Sequence, residues 1–256
     1  MQKNRLFAVA GILFVLVLAA GCRPGGAAQD AYVYRDGVYT GVSDGATTGY
    51  VQAKVFIAGD EILGIDVVEH DGTGLAKVYA LYGGDRFTVL QESHDTLARR
   101  MMDAATWDVE AFTGATSTSD KVKEAVRRAL DKALVDRPGT GVHFDGTFMG
   151  MSDRTARGWG LAWVTIKDGK ITEIKLAGTQ PRRDAEGQPV MDGWGNPTWA
   201  LKDEAYPHPP YHEGKIAIAR ALVDSQGARV DTFTGATSSS RQWMQAVERA
   251  MEAARR

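Results

Sequence analysis

One eight-residue segment occurs twice in the chain, and it limits the fold more than any other feature. Phe112-Thr113-Gly114-Ala115-Thr116-Ser117-Thr118-Ser119 returns as Phe233-Thr234-Gly235-Ala236-Thr237-Ser238-Ser239-Ser240, with seven of the eight positions identical. Each copy stands just ahead of a helical pattern. The first helix carries apolar residues at Val122, Ala125, Val126, Ala129, Leu130, Ala133 and Leu134; the second carries them at Trp243, Ala246, Val247, Ala250 and Met251. Spacing of i, i+3, i+4, i+7 buries one stripe against a sheet. Ser239 and Gln242 stand at capping-box spacing in the second copy.

The rest of each half follows the same plan. Asp36-Gly37 and Asp145-Gly146 open the halves, and aromatic alternation follows each. Strands are expected at residues 50–57 and 62–68, and again at 161–166 and 171–176. Helical stretches follow, one with Leu97, Ala98, Met101, Met102 and Ala105, the other with Ile216, Ile218, Ala219 and Leu222. Short strands are expected at 109–112 and 230–233. The predicted class is α+β, with two tandem domains, each a small antiparallel sheet with packed helices. Their limits are residues 32–136 and 143–256, joined by a linker at 137–142 that includes Pro138 and Gly139. The second half is longer. Its extra length includes Trp194, Trp199, Tyr206 and Tyr211, and the prolines Pro207, Pro209 and Pro210 argue against regular structure there.

The start of the chain bears on compartment. Lys3 and Arg5 precede an apolar run from Leu6 to Ala20, shorter than the roughly 20 residues that span a bilayer. Leu18-Ala19-Ala20-Gly21-Cys22 resembles a bacterial lipobox. The expectation is a signal peptide at 1–21, a lipidated Cys22, and a flexible tether at 22–31; the alternative is an uncleaved N-terminal anchor. The folded part would stand on the extracytoplasmic face of the cell membrane. Cys22 is the only cysteine, so no disulfide forms within the chain. The net charge is −2 and no basic tract is present, which argues against nucleic acid.

The repeated hydroxyls fall where a helix presents free backbone N–H groups and the positive end of its dipole, a favourable place for phosphate. Glycine permits a tight turn and close approach of a ligand. Plain helix capping needs only one hydroxyl per copy. Thr118-Ser119-Asp120-Lys121 resembles the hydroxyl-x-x-Lys pair of a nucleophilic hydrolase, but the second copy has Gln242 in the lysine position, and a neutral amide is no base. His208 and His212 form a weak metal signal beside prolines, and His70 and His94 read as surface residues.

Together, Glu110-Ala111-Phe112-Thr113-Gly114-Ala115-Thr116 and Asp231-Thr232-Phe233-Thr234-Gly235-Ala236-Thr237 resemble the motif of tandem FMN-binding-domain lipoproteins. The motif is an acidic residue, two variable residues, Ser or Thr, then Gly-Ala-Thr. The family is similar to the peripheral FMN subunits of Rnf and sodium-pumping NADH:quinone reductase. The resemblance implies a flavin transferase that uses FAD and magnesium to join FMN, through its phosphate, to the last threonine of each motif. It thus implies two covalent FMN groups, on Thr116 and Thr237. The surrounding site residues would be Thr113, Gly114, Ala115, Ser117, Thr234, Gly235, Ala236 and Ser238, and the transferase would recognise Glu110 and Asp231. The implied role is an electron carrier, not an enzyme. Its partners would be a membrane electron donor and a redox acceptor, either another carrier or an external one. The alternative is a lipoprotein that binds FMN or another phosphorylated ligand non-covalently. The family favours Asp at the acidic position, and the first copy has Glu110. With the longer aromatic loop of the second half, this places the two groups in different settings.

Overall fold

The two Asp-Gly openings start edge strands, because Gly37 (φ 150°) and Gly146 (φ 142°) take backbone angles that side chains disfavour. The computed structural model describes residues 33–81, 85–137 and 141–256. The signal segment, Cys22, the tether and residues 138–140 of the linker lie outside them. In the first half, β1 (Gly37–Val42), β2 (Tyr50–Ala58) and β3 (Glu61–His70) form an antiparallel sheet in that order. In the second, β4 (Gly146–Met151), β5 (Gly160–Lys167), β6 (Lys170–Pro181) and β7 (Trp199–Leu201) do the same. The helices are α1 (Asp85–Asp103), α2 (Thr116–Ala133), α3 (Pro209–Ser225) and α4 (Thr237–Ala253). The α+β class is as expected.

Period-two patterning builds the sheets. Val51, Ala53, Val55 and Ile57 of β2 are buried while Lys54, Phe56 and Ala58 face out. The hairpin after β2 turns on Gly59 (φ 60°) and Asp60 (φ 67°), and the one after β5 on Asp168 (φ 51°) and Gly169 (φ 73°). Two positive φ values in a row suit the right-handed twist of paired strands. Both halves carry a register shift at the same place, between Phe56 and Ile57 and between Thr165 and Ile166.

Helix α2 lies across β1 and β2, and α4 across β4 and β5. Their buried stripes hold Val122, Ala125, Val126, Ala129 and Leu130 in one case, and Trp243, Ala246, Val247 and Ala250 in the other. Each helix approaches its edge strand at a glycine. A Cβ on Gly41 would collide with the Ala125 carbonyl, and one on Gly150 with the Ala246 carbonyl.

Four expectations need correction. Residues 109–112 and 230–233 are not strands. The amides of Phe112 and Phe233 donate instead to Ser119 Oγ at 3.0 Å and Ser240 Oγ at 3.1 Å, so a helix hydroxyl replaces a neighbouring strand. Ala105 lies past the end of α1 in the left-handed region (φ 49°). The prolines of the long insertion do not exclude a helix, because α3 begins at Pro209 and Pro210, where the missing N–H groups have no intrahelical partner to lose. Finally, no capping box forms at α4: Ala236 holds the cap position, and the Gln242 side chain reaches Gly158 O at 3.4 Å.

The halves meet along an aromatic seam. Trp159 Nε1 donates to Thr73 O at 2.7 Å and Trp163 Nε1 to Ala46 O at 3.1 Å. Both indoles are buried, with Met149 and Leu161, against Tyr50 and Leu75 of the first half.

Candidate functional site

Each Thr-Gly-Ala-Thr forms the same turn. Gly114 (φ 88°) and Gly235 (φ 83°) take the left-handed region, which suits glycine alone. Ala115 and Ala236 tuck inward at 5% exposure each. Thr116 and Thr237 then open α2 and α4 with exposed side chains, and Ser117 and Ser238 beside them are exposed too. The first helical bonds run from Ser119 N to Ala115 O and from Ser240 N to Ala236 O, both 2.8 Å. The amides of the preceding turn point out beyond the helix end. Thr113, Thr234, Glu110 and Asp231 all lie on the surface. The turn therefore presents one threonine hydroxyl over a cluster of backbone donors, with the neighbouring hydroxyls outside the helix stripe.

Buried Ser119 and Ser240 belong to the scaffold. Each hydroxyl donates back to the alanine carbonyl, at 2.8 and 3.0 Å, while accepting the phenylalanine amide. Thr118, the hydroxyl three positions before Lys121, is buried as well. Lys121 donates to Gly49 O at 3.2 Å, and burial holds its ammonium pKa below the usual lysine range.

In the second half the threonine borders an open cavity of about 760 Å³. Thr237, Ser238, Gln242, Lys202, Arg157 and Tyr206 line it, and no lining residue is a carboxylate. His208 Nε2 lies 2.9 Å from Gly235 O and steadies the turn. His212 Nε2 lies 2.8 Å from Tyr206 O. Both rings are thus engaged by backbone carbonyls, and among the described residues no three side chains cluster as metal ligands. Of the large aromatic residues in the second half, Tyr206 reaches the cavity. Trp159, Trp163 and Tyr211 are core residues, Trp199 packs on Trp159 at 4.6 Å, and Trp194 is exposed on the loop.

The first half differs in charge. Glu69 is buried at 6% exposure, pairs with Lys77 at 2.6 Å, and accepts from Tyr79 Oη at 3.0 Å. His94, expected on the surface, is also buried at 6%, its Nε2 3.9 Å from Glu69. The i, i+3, i+7 spacing of His94, Leu97 and Met101 puts it on the core face of α1, a signal the sequence held. His70, likewise expected on the surface, is partly covered and stacks on Tyr50 at 4.5 Å.

Burial holds the His94 imidazole pKa below the ordinary histidine value, against the opposing pull of Glu69. The unfolded chain therefore takes up this proton first. Stability from His94 is fully present above about pH 6.5 and is lost as pH falls through the folded-state value. Burial shifts His70 and His143 the same way. Melting temperature is expected to drop between about pH 7.5 and pH 5, and His94→Gln should flatten part of that drop. An unchanged slope in the variant would refute the assignment.

The FMN-binding domain family matches residues 47–131 and 161–252. Each segment contains one Thr-Gly-Ala-Thr turn and most of the helix that follows it. The chain belongs to the FMN-binding domain family. No curated protein matches it at a significant level. A crystal structure of the CPE2226 protein from Clostridium perfringens is similar at 24% identity, over 44% of this chain and 88% of that one, with a TM-score of 0.31.

The residues at the second site fit FMN. Outward-facing amides suit a phosphate, the two cations suit an anionic ligand as a whole, the glycine leaves room for its approach, and the volume lies within the range of small-molecule pockets. Lys202 and Arg157 were not legible as site residues, because no repeated motif marks them, and His208, read as a weak metal signal, holds the turn instead. The insertion at 182–198 separates Lys202 from the strands that locate it.

Proposed function

We propose that this protein is an electron carrier with FMN joined through its phosphate to Thr116 and Thr237, held on the extracytoplasmic face of the cell membrane by a lipid on Cys22. The observation that carries the reading is the exposed Thr237 hydroxyl at a helix start, bordering a cavity with Lys202 and Arg157 and no carboxylate. Attachment by a flavin transferase would form a bond from the threonine oxygen to the FMN phosphorus. The pyrophosphate bond of FAD breaks, AMP leaves, and the hydroxyl proton passes to solvent. Surface positions leave Glu110 and Asp231 open to such an enzyme.

Bound FMN would supply one- and two-electron chemistry. The protein's own part is to hold the phosphate, seat the ring beside Tyr206 and set its electrostatic surroundings. Electrons would arrive from a membrane reductase and leave to another carrier or an external acceptor. Among the described residues no helix is long and apolar enough to cross a membrane; the anchor belongs to the segment before them.

Co-expression with a flavin transferase, FAD and magnesium should give a yellow protein. Acid precipitation should leave the colour with the protein. Colour released to the supernatant would favour non-covalent capture of FMN, and a colourless product would overturn the reading.

A further inference from the structure

The two sites differ by one buried charge at a structurally equivalent position. Val51 pairs with Glu69 across the first sheet and its amide donates to Ser43 Oγ; Gly160 pairs with Gly178 and its amide donates to Ser152 Oγ. Glu69 and Gly178 therefore occupy the same place. On the outer side of these strands, Lys77 N donates to Glu69 O and Lys202 N donates to Gly178 O, both at 2.8 Å. Lys77 and Lys202 are likewise equivalent.

In the first half the lysine is neutralised, since Lys77 Nζ sits 2.6 Å from buried Glu69. In the second half no carboxylate among the described residues does this. A Cβ on Gly178 would lie 3.5 Å from Lys202 Cδ and 3.2 Å from Tyr211 Oη, so the tyrosine fills the space of the glutamate side chain. Lys202 Nζ rests 4.1 Å from the centre of the Tyr206 ring and 4.9 Å from that of Tyr211. Ring faces attract an ammonium but leave its charge in place. Other charges do not restore the balance. Lys121 stands where the second half has Gln242, as their matching bonds to Gly49 O and Gly158 O show. Arg157 stands where the first half has Thr48. Each half thus places two cations around its site, and only the first sets a carboxylate against them.

We propose that Lys202 makes the second site the electron sink of the pair, by favouring the anionic reduced ring that Glu69 disfavours in the first. The inference rests on the FMN reading above. A protein with two FMN groups given one electron pair, with its proton from solvent, would hold the pair at the second site. Charge within a protein acts at an effective dielectric well below that of water, so a single uncompensated ammonium is enough to order the two potentials.

The test uses the full chain co-expressed with a flavin transferase. Thr116→Ala leaves only the second site loaded, and Thr237→Ala only the first. Spectroelectrochemical titration should find the second site at the higher potential. Lys202→Met should lower it by about tenfold in the reduced-to-oxidised ratio, about 30 mV for a two-electron couple, and Lys202→Arg should retain it. Glu69→Gln should raise the first site toward the second. Equal potentials, or a Lys202→Met protein titrating as its parent does, would overturn the proposal. If intact mass shows no covalent FMN, the reading beneath the proposal has failed. Free FMN titrated onto the same variants then tests the charge argument, with about tenfold weaker binding expected for Lys202→Met and unchanged binding refuting it.

Discussion

Gly150→Ala is expected to destabilise the second half by about 3 kcal/mol or more, at or above the upper end of the usual cost of overpacking. The added methyl would meet the Ala246 carbonyl and lie 2.6 Å from the Ala250 nitrogen, both main-chain atoms of α4. Neither can rotate away, so the helix must lift off β4 and give up packing of Trp243, Val247 and Ala250 against the sheet. Gly41→Ala should do the same to the first half, where the methyl would lie 2.5 Å from the Ala129 nitrogen. Gly169→Asn is the control. Its φ of 73° is positive, but a Cβ there meets nothing within 4 Å, and asparagine tolerates that region at a cost of about 1 kcal/mol or less. Urea unfolding of the three variants should separate the close-approach glycines from the turn glycine. Similar midpoints for Gly150→Ala and Gly169→Asn would contradict the packing described.

A second large effect is expected at Arg128, whose side chain is 2% exposed. It donates to Val42 O at 2.8 Å, to Asp44 at 2.6 Å, and to Asp145 O at 3.0 Å, and it pairs with Glu124 at 3.0 Å. Asp145 belongs to the second half, and the guanidinium also lies 4.6 Å from the Phe148 ring there. One side chain thus ties α2 to β1 and the first half to the second. Arg249 repeats the local part of this arrangement, bonding Met151 O at 2.7 Å and Asp153, but its side chain is 45% exposed. Removing a buried charged donor strands its acceptors, whereas a solvated one leaves them to water. Arg128→Ala should therefore cost about 3 kcal/mol and Arg249→Ala about 1 kcal/mol or less. Chemical denaturation of both variants measures the difference. Equal losses would mean that burial and the link between halves add nothing.

The duplication, the α+β class and most element boundaries were legible because they rest on local pattern. The buried stripe of α2, the alternation of β2 and the Asp-Gly openings all state their environment within a few residues. The segments before each Thr-Gly-Ala-Thr were misread as strands because their apolar residues face the core without a strand beside them. That outcome depends on Ser119 and Ser240, seven positions later, offering an oxygen to the phenylalanine amide. The start of α3 was obscured by prolines whose meaning depends on which turn of the helix they occupy. At the candidate site, Thr116 and Thr237 were marked by repetition. Lys202 and Glu69 were not, since they oppose each other only when the two sheets are superposed. The buried state of His94 was written in its helical spacing and overlooked for want of a visible partner.

Intact mass of the protein co-expressed with a flavin transferase tests the central claim most directly. The account predicts two covalent FMN adducts on the parent chain, one on Thr116→Ala or Thr237→Ala, and none on the double variant. Ser117→Ala and Ser238→Ala should keep both adducts, because the attached oxygen belongs to the threonine at each helix start. A parent chain at its unmodified mass, or a double threonine variant that still carries FMN, would contradict the account.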